Sequence, residues 1–295
     1  MVTGPPAFRP TFRFAPSPNG YLHLGHALCA VLNAELAATS GGRFLLRIEN
    51  IDLGRCSRAF EDAVAEDLAW LGLDWERPVR RQSEHFADYK AGLAWLGERD
   101  LAYPCFCSRG DILRAVSNRP DWPRDPDGAP LYPGLCRDLP AAIRDRRIAA
   151  GEPHAWRLDM RRAAAMAGPL GWTELDASGA AMGVEARPGR WGDVVLARKD
   201  IGTSYHMAVV IDDAAQGVTH VVRGRDLREA TSIHRLLQCL FGLPEPLYRH
   251  HALLRDASGE KLAKSRGSTP IRDMRAAGMD STILRRALLA HAAEA

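Results

Sequence analysis

The segment His23-Leu24-Gly25-His26 places two imidazoles three residues apart, just after the turn Ala15-Pro16-Ser17-Pro18-Asn19-Gly20. At the first turn of a helix this spacing puts both rings on one face. The helix N-terminus adds unsatisfied N–H groups and partial positive charge. Together they can hold a triphosphate and stabilise charge building up on its α-phosphate. Gly25 would let a base or ribose approach the backbone closely. A second element, Lys261-Leu262-Ala263-Lys264-Ser265, follows Gly259. An ammonium on such a loop can grip the pyrophosphate end of ATP. Alone, the first piece reads as surface histidines and the second as a solvated loop. In this order, with the first on a strand-to-helix turn, they point to ATP chemistry. The two commoner nucleotide signatures, GxxxxGK[ST] and GxGxxG, are absent.

Six cysteines offer further chemistry. Cys29 (HALCAVL) and Cys239 (LLQCLFG) stand in apolar helical patterns and are expected in the core. Cys105, Cys107 and Cys136 flank a Pro-, Asp- and Gly-rich stretch. They read either as a metal clip, which a small irregular subdomain would gain from, or as three free thiols.

The elements that must position these groups alternate. Thr11–Ala15 reads as a strand, Leu24–Ala38 as a helix stopped by Ser40-Gly41-Gly42, and Arg43–Ile48 as a buried strand. Arg58–Leu71 and His85–Arg99 read as amphipathic helices. This order predicts an open parallel α/β sheet. From Leu101 to Trp191 the pattern is irregular, which predicts an inserted subdomain. The parallel pattern is expected to resume at Asp193–Ala197, with Met207–Ile211 and Thr219–Val222 as further strands. Helices are expected at Glu229–Phe241 and Arg272–His291. The division predicted is 8–100 and 192–250 for the two halves of the main domain, 101–191 for the insertion, and 251–295 for the KLAKS loop and C-terminal helices.

Composition bounds the partners. The 295 residues are 46% hydrophobic and 25% charged, which excludes a disordered, collagen-like or coiled-coil chain. Apolar runs such as Ala27–Leu32 are too short to span a bilayer, and the N-terminus lacks the order of a secretion signal. A cytoplasmic location and no membrane partner are expected. Net charge is +3, but only four of the 39 basic residues are lysine. Arginine suits phosphate and nucleic acid through its planar fork, although a codon bias gives the same count.

HLGH followed by KLAKS resembles the paired signature of class I aminoacyl-tRNA synthetases. RFAPSPNGYLHLGHA resembles the turn of their glutamyl/glutaminyl branch, and LLRIENID, SYHMAVVIDD and VTHVVRGRDL resemble later segments of the same domain. The resemblance runs from about Phe12 to Ser268. It implies a Rossmann-like α/β catalytic domain with an inserted subdomain and a short helical C-terminus. Only 30 residues follow Ser265, so no anticodon-binding region is expected. That resembles the branch's short paralogues, the glutamyl-Q tRNA(Asp) synthetases. Their activity would be ATP-dependent formation of glutamyl-adenylate without tRNA, then transfer of glutamate to the queuosine base at the wobble position of tRNA(Asp).

The resemblance implies roles residue by residue. Arg13, Phe14, Ala15, Pro16, Ser17, Glu49, Tyr205 and Arg223 would form the glutamate pocket. Arg13 would clamp a carboxylate, Glu49 would face the ammonium, and Arg223 would be a second candidate for the side-chain carboxylate; the plain alternative for Arg223 is an ion pair between strands. His23, Gly25, His26, Lys261 and Lys264 would bind ATP with Mg²⁺, and His23, His26 and Lys264 would be catalytic. Cys105, Cys107, Tyr132 and Cys136 would hold one structural Zn²⁺, with His154 the more ordinary fourth ligand. A monomer is expected. Two positions depart: Asn50 stands where the branch has an acid, and Ala263 replaces the middle serine of the loop. The rival readings are a small glutamyl-tRNA synthetase charging the tRNA 3′ end, a non-catalytic tRNA- or glutamate-binding paralogue, and a nucleotidyltransferase acting without RNA.

Overall fold

The computed structural model describes residues 9–254 and 269–294. Strands β1 (Thr11–Phe14), β2 (Arg43–Ile48) and β3 (Glu76–Arg81) pair in parallel, with Phe12 opposite Phe44 and Phe14 opposite Leu46. Helices α1 (Leu24–Thr39) and α2 (Arg58–Trp70) make the crossovers. Thr219 N donates to Thr11 O at 3.0 Å and joins this sheet to β9 (His220–Gly224). β9 pairs in parallel with β10 (Leu247–His251), and β10 with β6 (Gly171–Leu175); β7 (Ala181–Glu185) closes the edge as a hairpin. The strands therefore run β3-β2-β1-β9-β10-β6-β7. One face buries α1 through Ala27, Leu28, Val31 and Leu32 against Phe12, Phe14 and Leu46. That apolar layer makes the head of α1 a fixed platform.

A second, antiparallel sheet is built from β4 (Ala102–Cys105), β5 (Ala155–Leu158) and β8 (Val195–Ala197). Helices α3 (Phe86–Gly97), α4 (Arg109–Val116), α5 (Ala141–Ala149) and α6 (Met160–Ala167) complete the middle of the chain. The expected parallel strand at 193–197 is thus shorter, and it pairs antiparallel with β5. Met207–Ile211, expected as a strand, lies inside helix α7 (Tyr205–Ala215). Ser204 caps that helix by accepting Met207 N at 3.4 Å. A short, fully buried apolar run has no periodicity that separates helix from strand. Helix α8 (Thr231–Phe241) is buried on nearly all sides, but Cys239 is exposed, not in the core. The last helical stretch is two helices, α9 (Ile271–Ala276) and α10 (Ser281–Glu294).

Candidate active site

The turn after β1 is pinned to the elements around it. Pro16 O accepts Glu49 N at 3.0 Å, and Pro18 O accepts Ser57 N at 3.2 Å. The chain then enters α1 at His23, which is its N-cap. His23 Nδ1 accepts Gly25 N at 3.1 Å, while His26 Nδ1 accepts His23 N at 3.2 Å. Each backbone donor forces its Nδ1 to be an acceptor, so the neutral rings carry their protons on Nε2. The ring centroids are 3.9 Å apart. A Cβ on Gly25 would sit 3.0 Å from His23 Cε1. The glycine thus makes room for the capping imidazole. Beyond the undescribed residues, Ile271 N donates to Leu22 O at 2.8 Å and fastens the returning chain beside His23. Lys261 and Lys264 lie outside the described residues.

A cavity of about 500 Å³ opens over this turn. Its wall brings together Arg13, Phe14, Ala15, Pro16, Ser17, His23, Gly25, His26, Glu49, Tyr205 and Arg223, which are all the described members of the expected glutamate and ATP sets. A second cavity of about 580 Å³ shares Ser17, Asn19, Glu49 and Tyr205 with the first and reaches Asp125, Tyr132 and Arg157 in the middle of the chain.

Charge is divided unevenly in the first cavity. Arg13 donates from Nε and Nη2 to the two oxygens of Asp213 at 3.1 and 3.3 Å. The bidentate clamp expected of Arg13 is therefore made with the protein's own carboxylate. Arg47, fully buried, donates from Nη1 to Asp213 at 2.6 Å and from Nη2 to Glu49 at 3.1 Å. Burial alone would raise Asp213, but Arg13 and Arg47 hold it below the usual carboxylate range. Burial wins at Glu49 and raises it despite Arg47.

Arg223 is different. It is 4% exposed, and its five N–H donors reach His250 Nε2 (3.2 Å), Tyr205 Oη (3.3 Å), His234 Nδ1 (3.1 Å), Leu227 O (3.1 Å) and Thr231 Oγ1 (2.8 Å). All five acceptors are neutral, since burial keeps both histidines uncharged, His250 at about 4 and His234 well below its ordinary value. Among the described residues no carboxylate reaches it, so the expected alternative of an ion pair between strands is not formed. A buried cation with neutral neighbours favours an incoming anion.

At the end of β4, the Sγ atoms of Cys105, Cys107 and Cys136 lie within 4.8 Å of one another. Tyr132 Oη is 3.5 Å from Cys107 Sγ and accepts Cys136 N at 2.8 Å. His154 instead contacts Glu152 O through Nδ1 at 2.9 Å and packs on Phe106 and Trp156. The hydrogen bond between Cys105 and Cys136 leads in setting their thiols, with Cys136 brought down to about 6 and Cys105 pushed up to about 12. This cluster of three sulfurs could hold a metal ion, and soft thiolates suit zinc.

Residues 11–292 match the family model for the catalytic domain of class I tRNA synthetases (E and Q). The chain belongs to that family. The glutamyl-Q tRNA(Asp) synthetase of Rhodobacter capsulatus is 47% identical over 282 residues, 93% of this chain and 98% of that one. That of Nocardia farcinica is 41% identical over 270 residues, 90% of this chain and 79% of the relative. The glutamate-tRNA synthetase structure from Elizabethkingia anophelis superposes with a TM-score of 0.72 at 26% identity, covering 92% of this chain and 54% of that chain. This chain spans about half the length of that solved protein.

Within this family fold, Asn50 serves the scaffold. Its amide donates to Glu61 at 2.9 Å and its carbonyl accepts Ser83 N at 2.9 Å, tying β2 to α2 and to the chain after β3. Sequence reasoning missed Arg47, Asp213, His234, His250 and Glu174, which set the charge and aim of the pocket. Asp213 and Arg47 stand in the very segments SYHMAVVIDD and LLRIEN; a charge enclosed by an apolar run was the available signal.

Proposed function

We propose that this chain activates L-glutamate with ATP, without tRNA, and transfers the glutamyl group to the queuosine base at the wobble position of tRNA(Asp). The observation that carries the reading is one cavity of about 500 Å³ in which Arg223, a buried cation that no described carboxylate reaches, lies with the His23–His26 helix terminus. The relatives named glutamyl-Q tRNA(Asp) synthetase, one of them matched over 98% of its length, support the choice of acceptor.

In this reading Arg223 and Tyr205 take the side-chain carboxylate of glutamate, and Glu49 faces its ammonium. An oxygen of the α-carboxylate attacks the α-phosphate of ATP in line. The bond from that phosphorus to the bridging oxygen breaks, and pyrophosphate leaves with the electron pair. His23 and His26 present Nε2–H donors to the α-phosphate, and the α1 terminus adds its backbone N–H groups. Lys264 and Lys261 would bind the outer phosphates. Mg²⁺ arriving with ATP would neutralise phosphate charge. A hydroxyl of the queuosine cyclopentenediol, entering through the cavity shared with the insertion, then attacks the acyl carbonyl and releases AMP. Cys105, Cys107, Cys136 and Tyr132 would hold a structural Zn²⁺ that braces the insertion wall. Tyr132 fits the fourth position because it meets the sulfurs and His154 does not. The chain would act as a monomer in the cytoplasm, where its tRNA is.

The test uses [14C]glutamate, ATP and tRNA(Asp) whose 3′-terminal adenosine has been removed. Label on queuosine-containing tRNA and none on tRNA lacking queuosine is the expected result. Label that requires the intact 3′ end would sink the proposal.

A further inference from the structure

The described residues frame another cavity, of about 410 Å³, at the ends of β6, β9 and β10. His251 lines both it and the pocket described above. Three arginines line it, Arg225, Arg228 and Arg249.

Arg249 lies on β10 and is half-buried. Its side chain makes no hydrogen bond or ion pair with any described residue. Burial lowers its pKa, and the carboxylate of Asp176 only partly offsets this. Arg225 is exposed, and its side chain too has no hydrogen-bond or ion-pair partner among the described residues. Arg228 is partly engaged, with Nε 3.4 Å from Glu174.

Two carboxylates share the cavity, and both are already used. Glu174 accepts His250 Nδ1–H at 2.9 Å and Trp172 Nε1–H at 2.8 Å as well as Arg228. Asp176 Oδ1 closes its own turn, accepting Ser178 N at 2.8 Å and Ala180 N at 2.9 Å. His250 and His251 are kept neutral by burial. Three cations therefore stand against two anions, and the donors of Arg225 and Arg249 are uncommitted within the described chain. A half-buried guanidinium with no partner is costly unless an anion completes it. Planar forks from the turn at 225–228 and from β10, on the wall of one cavity, match the oxygens of a tetrahedral oxyanion.

We infer that Arg225, Arg228 and Arg249 form a receptor for a phosphate group, separate from the pocket assigned to ATP. A free phosphate and a phosphodiester of an RNA backbone present the same oxygens, and the two are separated by experiment. The inference does not depend on the proposed acceptor or on glutamate.

The test uses the whole chain with its ATP and glutamate pocket filled by a non-hydrolysable glutamyl-adenylate analogue. Inorganic phosphate is titrated in by calorimetry, and tRNA binding is followed as a function of salt. One supporting result is saturable phosphate binding that weakens about tenfold or more in Arg249→Gln and Arg225→Gln, about one charge-assisted hydrogen bond. The other is unchanged phosphate behaviour with a tRNA salt slope reduced by about one in each variant, which assigns the phosphate to RNA. Arg249→Lys should fall between wild type and Arg249→Gln, because it keeps the charge without the fork. Glutamate-dependent ATP–pyrophosphate exchange should be unchanged in all three variants, which reports correct folding. Phosphate and tRNA binding both indifferent to these substitutions would overturn the inference.

Discussion

Arg223 donates from Nε to Nε2 of His250 at 3.2 Å, and that bond decides where the imidazole proton sits. Arginine can only donate, so His250 Nε2 accepts and its proton is on Nδ1, aimed at Glu174 Oε1 at 2.9 Å. Glu174 thus orients a buried cation through a neutral ring, with β6 holding β10 and β10 holding β9. Glu174→Ala frees His250 to take the other tautomer, which would turn an N–H towards Arg223. The KM for glutamate should rise about tenfold with kcat nearly kept, on the scale of one buried hydrogen bond. Glu174→Gln keeps an acceptor and should restore most of it. Equal KM values in the Ala and Gln variants would count against a positioning role.

Arg223→Gln tests the anion site itself. It should raise the KM for glutamate by about 10- to 100-fold, the range for a hydrogen bond to a charged group. The KM for ATP in pyrophosphate exchange should move little, because the adenylating end is built by His23 and His26. A matching rise in both constants would argue for general collapse of the pocket.

Asp213 supports two buried cations, Arg13 and Arg47, at once. Asp213→Asn leaves Arg47 with Glu49 and with Asp212, 3.9 Å from its Nε, and leaves Arg13 with no other carboxylate in ion-pair reach among the described residues. Uncompensated burial of this kind typically costs about 3–5 kcal/mol. Urea denaturation should therefore show a midpoint well below that of the wild type. A variant of unchanged stability would mean that water or another group takes over the charge.

How much of this was legible follows from where each residue's partners lie. The strand–turn–helix around His23 was readable because its signals are local: alternation in β1, prolines after it, and a polar cap before an apolar run. β10 was not, because Leu247–His251 carries Arg249, His250 and His251 and looks like a loop. Of its polar side chains, His250 is explained by a partner distant in sequence, Glu174, 76 residues earlier in the chain. Helix α7 reads as a strand because the run Met207–Ile211 has no polar residue and holds three β-branched ones, buried Val209 and Val210 and half-buried Ile211. Cys239 looked like core from its neighbours Leu236, Leu237 and Leu240, yet it falls on the one outward position of a helix otherwise enclosed. The cysteine spacing suggests a clip, whereas Tyr132 as its fourth member comes only from the family resemblance, because a tyrosine is not an ordinary zinc ligand.

The cysteine cluster makes a quantitative expectation. As purified, the chain should contain about one zinc, removable by a strong chelator. Cys136→Ser should lose it and lower Tm, with the loss confined to the insertion, so that hydrogen exchange quickens at β4 and α4 before β1 and β2. Metal analysis of wild type and variant checks this. Zinc retained at full stoichiometry in Cys136→Ser would place the metal elsewhere.

Asp67 makes stability depend on pH. It is fully buried on α2, neither carboxylate oxygen has a hydrogen bond among the described residues, and Arg275 Nη1 of α9 stays 3.8 Å away. Burial pushes its pKa up to about 6 against the pull of Arg275. The unfolded chain titrates this carboxyl near 4, so the folded state prefers the protonated form. Its contribution is complete below about pH 4 and is lost as pH rises through about 6. Asp67→Asn cannot ionise. Relative to wild type it should gain stability across that window and then level off, by at most about 3 kcal/mol from two pKa units. Tm values of both proteins at pH 4.5 and pH 8 give the comparison. A difference that does not grow with pH would mean that Arg275 already pairs with an ionised Asp67 in solution.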